Sequence, residues 1–469
     1  MASSSSSSSV SVTFTTSTPY PLPSQKYMLP ISWKRFHLSQ LINKALSLAQ
    51  PIPFDFLVRG ELLRSGLGDW CAKNGVGIDE ETLEIEYIES VMPPKKMGDM
   101  PHEDWVSGVS CGIPGHFLTA SYDGSIRLFD YSQNLKLSDV LHSAPITSVC
   151  VIPTFEDASS SSHLIATSSH DSFAQITQVT LPSLSSASSS SATEVKPLSK
   201  LVLHTAPLSS VSSNSSGTHL LTSSWDGLIG VWDTSVPSTD EVPEEQTERK
   251  KKRKLASTDD NVGAPKRKGP TAVLRSHTAR VSKVVFGGET AGNNGNENVA
   301  ISCGFDSTVR KWDVERGVCT HTITASEKPF LDLALSRDGH VALAASTDRT
   351  VTLYDIRISS SASLASTSSG SFFHPSTPSC INTGSSASLH TSAISTSNQH
   401  QIITGAYDGI VRLWDMRSMG GAIATFNLSE AKKEQGGGGG KKKVLCVDWD
   451  LQKGIVGVGA EGGLEVWKI

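Results

Sequence analysis

One sequence unit returns seven times along this chain, and it constrains the fold more than any bulk property. Clean copies run Leu118–Asp130, Leu221–Asp233, Ile301–Asp313 and Ile403–Asp415. Each begins with small apolar residues and a Ser or Thr. An Asp follows in a turn with Gly or Ser, then a β-rich run ending in an aromatic residue and Asp. Weaker copies surround Asp171, Asp348 and Glu461. A recurring unit of this length cannot bury its own apolar face. It must stack on copies of itself, so the repeat dictates a ring or an array. The turn acids stand at 123, 171, 226, 306, 348, 408 and 461. Their spacing stretches where polar inserts intervene, which loops tolerate because closure costs grow slowly with length.

The chemistry inside the unit supports a structural role. An aromatic lies six positions after the acid as Phe129, Trp232, Trp312 and Trp414, with Tyr354 and Trp467 in weaker copies. A hydroxyl lies four before it as Thr119, Thr167, Thr222, Ser302 and Thr404. Histidines stand upstream, giving the sets His204–Thr222–Asp226–Trp232, His277–Ser302–Asp306–Trp312 and His390–Thr404–Asp408–Trp414. A hydroxyl can link a His to a Trp N–H while the Asp takes the other side of the ring. Such a chain fixes a blade only when every member is satisfied. The same residues could be read as catalytic, but an active site has no reason to recur around a ring. The unit resembles the WD40 β-propeller family, whose period is about 40–45 residues, with seven blades. Ala344, Thr177 and Glu461 break the pattern and predict looser ties in blades five, two and seven. The last copy ends at Ile469 without an outer strand, so residues between Leu83 and Val109 are expected to close the ring.

The first hundred residues lack the repeat. Met1–Phe54 has no Asp or Glu and opens on a Ser run, a composition shared with organelle transit peptides. The alternation at Val10–Phe14 favours instead a short tail, residues 1–9, before a domain. Strands are expected at Val10–Thr16, Phe54–Val58 and Thr82–Tyr87, and helices at Ser39–Ala49 and Leu67–Lys73. This order suggests a ubiquitin-like β-grasp over residues 10–90. The expected fold class is therefore mainly β: a linker at 91–104, then a propeller at 105–469. Disordered inserts are expected near 156–162, 183–193, 236–270, 359–379 and 430–442.

Pro53–Arg64, Leu83–Tyr87 and Glu103–Val106 resemble the notchless-like N-terminal domain fused to a WD40 propeller. Seven markers rather than eight make the chain similar to the WD-repeat subunit of the PeBoW complex. That resemblance implies a non-catalytic factor for the large (60S) ribosomal subunit and pre-rRNA processing. It implies the block-of-proliferation and pescadillo proteins as partners, a pre-60S particle, and a nuclear, nucleolar and nucleoplasmic location. It also implies that the midasin AAA ATPase grips the β-grasp domain, with a loop carboxylate completing the coordination of midasin's Mg²⁺. Mg²⁺ takes oxygen ligands, often one or two carboxylates. The matching loop is Gly77–Thr82, which puts the ligand at Glu80. Glu81 is the register alternative and Asp79 a third candidate. Without the resemblance, the same residues read as a solvated acidic turn.

The insert Asp240–Pro270 is acidic first, then basic. Lys250, Lys251, Lys252, Arg253 and Lys254, with Lys266, Arg267 and Lys268, have the spacing of a bipartite nuclear-import signal. The alternative is a solvated charged loop, or one touching ribosomal RNA phosphates. Arg127, Arg310 and Arg412 recur four residues after the acid, as face residues or as stacked structural ones. The chain carries net charge -5, and its seven Cys include no CxxC pair. It shows no run of about 18 apolar residues. No membrane role, disulfide framework or zinc ribbon is expected. A nucleophile elbow, phosphate-binding loop and metal-spaced cluster are missing too, so neither catalysis nor a cofactor is expected. The remaining alternative is a generic WD40 scaffold or ubiquitin-ligase substrate receptor.

Overall fold

The computed structural model describes residues 9–48, 50–75, 82–90, 92–154, 162–182, 193–243, 265–287, 298–324, 327–336, 338–357, 368–384, 400–428 and 442–469. The N-terminal unit contains β1 (Ser9–Thr15), β2 (Lys26–Pro30), α1 (Arg35–Leu46), β3 (Phe54–Val58), β4 (Glu61–Leu62), α2 (Leu67–Asn74) and β5 (Leu83–Glu89). The sheet order is β2-β1-β5-β3-β4. β1 runs parallel to β5 and the other pairs are antiparallel, the β-grasp arrangement. Alternation in β1 sends Val10, Val12 and Phe14 inward onto Leu38 and Ile42 of α1 and Phe56 of β3. The Tyr87 hydroxyl is tied on both sides, donating to Tyr20 O and accepting from Leu22 N. Helix α1 starts four residues before the expected Ser39. The Lys34 N–H donates to His37 Nδ1 at 3.3 Å, and Phe36 in the first turn is exposed. The apolar periodicity therefore begins one turn after the helix does.

The next segment corrects one expectation. Residues 91–104 are not a linker, because they contain β6 (Lys95–Pro101). β6 pairs antiparallel with the final strand, Gly463–Lys468, placing Met100 opposite Leu464 and Lys96 opposite Trp467. It is the outer strand of the last blade, inside the range expected to close the ring.

Seven sheets form the propeller. Their inner strands are Val106–Ser110, Ile146–Ile152, Leu208–Ser213, Val281–Phe286, Phe330–Leu335, Pro378–Asn382 and Val444–Asp450. Each inner strand packs on the next, and the seventh packs on the first. The turn Asp accepts the N–H two residues on, as Leu228 N to Asp226 Oδ1 at 2.9 Å. The residue between them has positive φ, which glycine adopts at least cost: Gly124, Gly227 and Gly409. Ser172, Ser307 and Arg349 hold the same conformation in the copies without Gly.

Two expected inserts are shorter than anticipated. Ser368–Phe373 is the outer strand of blade five, although it lies within 359–379. Lys266–Lys268, within 236–270, is a fifth strand on blade two, parallel to Glu194–Leu201.

The β-grasp unit rests on blade six. Leu62 N donates to Ser418 Oγ at 3.0 Å, and Arg64 Nη2 donates to Gly421 O and Ala422 O at 2.8 Å. Arg417 pairs with Glu86 at 2.9 Å.

Candidate functional site

Three features carry the sequence-level expectations: the polar chains inside the blades, the acidic loop and the basic insert.

The polar chains form in blades three and four as expected. His204 meets Asp226 at 3.0 Å and Thr222 at 2.9 Å, and Trp232 Nε1 donates to Thr222 at 2.9 Å. His277 meets Asp306 at 2.8 Å and Ser302 at 2.7 Å, and Trp312 Nε1 donates to Ser302 at 2.8 Å. One proton arrangement satisfies every member. The indole N–H donates to the hydroxyl, the hydroxyl donates to His Nε2, and His Nδ1–H donates to the carboxylate.

Blade six corrects the third set. His390 lies outside the described residues, and His374 occupies the position instead. It meets Thr404 at 3.2 Å, while Trp414 Nε1 donates to Thr404 at 2.8 Å. Asp408 is held by Arg412 at 2.6 Å, and His374 Nδ1 is hydrogen-bonded to Ser376 O at 2.6 Å.

Blade one follows the same variant. His102 bonds Thr119 and Met100 O, and Arg127 holds Asp123 at 2.6 Å. Blade two keeps His142, Thr167 and Asp171 without the Trp. Arg127, Arg310 and Arg412 are therefore structural, each pairing with its own turn acid. His102, His142 and His374 were missed in the sequence. Their signal was present: each ring stands four residues before an inner strand, as His204 and His277 do. His390 does not.

These groups predict an acid response. Burial and the neighbouring Arg412 charge push His374 down to about 4. Burial also lowers His102. The unfolded chain takes up a proton near pH 6.5, whereas folded His374 resists until about pH 4. Its contribution is thus intact above about pH 6.5 and lost as pH falls toward 4, on the order of 3 kcal/mol in full. Burial raises Asp226 and Asp306, but their His and backbone hydrogen bonds outweigh it, and both sit below the usual carboxylate range. Their contribution is lost at still lower pH. Melting temperature should hold between pH 8 and 7 and fall from about 6.5 downward. His374→Phe should start lower and flatten part of that fall. An unchanged pH slope in this variant would refute the assignment.

Asp79, Glu80 and Glu81 lie outside the described residues. The loop's flanks are described: α2 ends at Asn74, Gly75 follows with φ +63°, and β5 starts at Leu83. Lys250–Lys254 also lie outside. Lys266–Lys268, the expected second half of a bipartite signal, forms a strand. Lys268 is buried, its ammonium donating to Ser235 O and, at 3.2 Å, to Ser235 Oγ. Arg267 N donates to Asp240 Oδ1 at 2.9 Å, Glu241 N donates to Arg267 O at 2.8 Å, and Gly269 N donates to Glu241 Oε2 at 2.9 Å. The acidic start of the insert clamps its basic end.

The inner strands enclose a cavity of about 540 Å³. Charged groups lining it are tied across blades. Lys283 meets Asp332 at 2.7 Å. Asp448 accepts from Cys111 N at 2.7 Å and from Asn382 Nδ2 at 3.0 Å.

Residues 10–71 match the NLE (NUC135) domain family. Residues 96–130, 195–233, 268–313, 317–355 and 378–415 match the WD domain, G-beta repeat. The chain is 54% identical to the ribosome biogenesis protein YTM1 of Laccaria bicolor over 95% of this chain and 92% of that protein. It is 52% identical to the Coprinopsis cinerea protein of that name, with the same coverage. It is 30% identical to the Saccharomyces cerevisiae one, over 94% of this chain and 92% of that protein.

Proposed function

This chain belongs to the YTM1 family of ribosome biogenesis proteins, and from that premise we propose how its two folded parts divide the work. The chain is a ribosome assembly factor, built of an NLE domain and WD40 repeats. In our reading it serves the large subunit and pre-rRNA processing, without catalysis. The propeller docks in a PeBoW-type complex with the block-of-proliferation and pescadillo proteins. The β-grasp domain presents Glu80 to the Mg²⁺ site of the midasin ATPase, which then extracts the factor from the pre-60S particle. One observation supports this division. The β-grasp unit meets the propeller through Leu62, Arg64 and Glu86, so neither described end of the acidic loop is occupied by blade six. Affinity purification of the tagged chain tests it. Pescadillo and large-subunit precursors should co-purify, whereas ligase subunits in their place would favour a substrate receptor.

Nuclear and nucleolar residence is part of the same reading, with import carried by Lys250–Lys254. The clamp on Lys266–Lys268 makes a single-cluster signal the better one. Replacing Lys250–Lys254 with alanine should strongly reduce nuclear fluorescence of a tagged chain, and K266A/R267A should leave it near wild type. The reverse pattern would restore the bipartite signal. Equal nuclear signal in both would assign import to a partner.

A further inference from the structure

Each blade repeats one hydrogen bond at the end of the propeller where the Asp turns lie. The residue before the turn acid donates its N–H to the carbonyl just before the inner strand. Tyr122 N to Trp105 O in blade one and Phe305 N to Arg280 O in blade four are examples. Six blades make it in this form, at 2.9 to 3.3 Å, and in the seventh the turn acid Glu461 itself donates to Lys443 O at 3.3 Å. These bonds bring two sets of residues together at this end of the propeller, one just before the inner strands and one at the turns.

Together they form a collar rich in aromatics: Trp105, Tyr122, His170, Trp225, Phe305 and Tyr407. Trp105, Trp225 and Tyr407 are 40 to 45% exposed at this one end. Trp105 and Tyr122 lie with centroids 5.8 Å apart, and His170 and Trp225 5.4 Å apart. The segments 155–161, 183–192, 244–264, 288–297, 358–367 and 385–399 interrupt connections at the opposite end, and 325–326 and 429–441 interrupt connections at this one.

Arg280 is the distinctive member. Its guanidinium lies 3.3 Å from the Phe305 centroid and 5.2 Å from the Trp225 centroid. Among the described residues it has no carboxylate or other hydrogen-bond acceptor. A planar fork held flat by rings, with its N–H edges free, is preorganised for a carboxylate. Trp, Tyr and Arg are also the side chains that dominate protein–protein hot spots. We propose that this collar docks an acidic segment of a partner protein, with Arg280 taking a carboxylate and Trp225 and its neighbours taking apolar side chains. A polynucleotide would need a track of unpaired cations. Here Lys443 is already paired with Glu461 at 3.3 Å, and Asp104 and Asp348 stand at the same end. The proposal deepens the reading of the propeller as a docking platform and rests on it.

Calorimetry on the full chain tests it with three probes: a peptide alternating Asp with Leu and Phe, the same peptide with Lys for Asp, and oligouridine. The acidic peptide should bind. Arg280→Gln and Trp225→Ala should each weaken it about tenfold or more, with melting unchanged, while the rim variant Val318→Ala should bind like wild type. No binding by wild type, equal binding by all variants, or tighter binding of oligouridine would overturn the proposal. Entry into pre-ribosomal particles, followed in parallel, separates the two ideas. Collar variants that bind like wild type in a chain that still enters particles sink the collar alone. A wild-type chain that enters no particle sinks the platform.

Discussion

Glu80→Ala is expected to leave the chain folded and able to enter the particle, yet unable to leave it. The described residues flanking the loop, Gly75 and Thr82, are exposed, and surface substitutions usually shift stability by under about 0.5 kcal/mol. On the proposed reading Glu80 completes the Mg²⁺ shell, so its removal should abolish binding to the ATPase's adhesion-site domain. Two measurements check this: Mg²⁺-dependent binding with and without chelator, and sedimentation of the factor with pre-60S particles. Glu81→Ala run beside it decides the register. Normal release by both variants would remove the loop from the mechanism.

The second large effect concerns ring closure. A chain beginning at Pro94 should remain a folded propeller, whereas one beginning at Trp105 should not. The two differ by β6, which covers the edge of Gly463–Lys468 and buries Met100 against Leu464 and Val466, and by His102, whose bond to Thr119 ties blade one. Emptying a core position of that size costs about 2–5 kcal/mol, and the open edge invites pairing between molecules. The shorter chain should melt well below the longer one and elute as aggregates in gel filtration. Equal melting would show that the seventh blade stands without its outer strand.

How far the sequence could be read follows from the range of each interaction. The Asp turn is local: an acid, a positive-φ position and an N–H two residues on, all within one short run. Seven blades were therefore visible from the letters. The polar chains were visible where His stands at fixed distance from the inner strand, as at His204 and His277. In blade six His390 precedes the turn acid without standing at that spacing, and His374 does stand there. Whether Asp binds His or Arg was hidden for a different reason. In blades one and six the ring turns Nδ1 to a backbone carbonyl, Met100 O or Ser376 O, and the acid goes to Arg127 or Arg412. In blade three Gly230 stands where that Arg would be, and His204 is the side chain that takes Asp226, beside the backbone N–H groups of Thr205 and Leu228. The burial of Lys268 was least legible, because a parallel strand added from a distant insert leaves no periodicity of its own.

The placement of β6 also fixes a mechanical load path. Only residues 90–94 separate β5 from β6, so a pull on the β-grasp unit bypasses the sheet interiors and arrives at the seam where the ring is fastened. The hydrogen bonds around Arg64 and Ser418 and the Glu86–Arg417 ion pair take the first load. Beyond them, tension runs along β6 from its Lys95 end. The β6–Gly463–Lys468 ladder takes the load next. Once that seam parts, the seventh blade has lost its clasp. The same strand that makes the ring resistant to thermal opening makes it openable from a single handle.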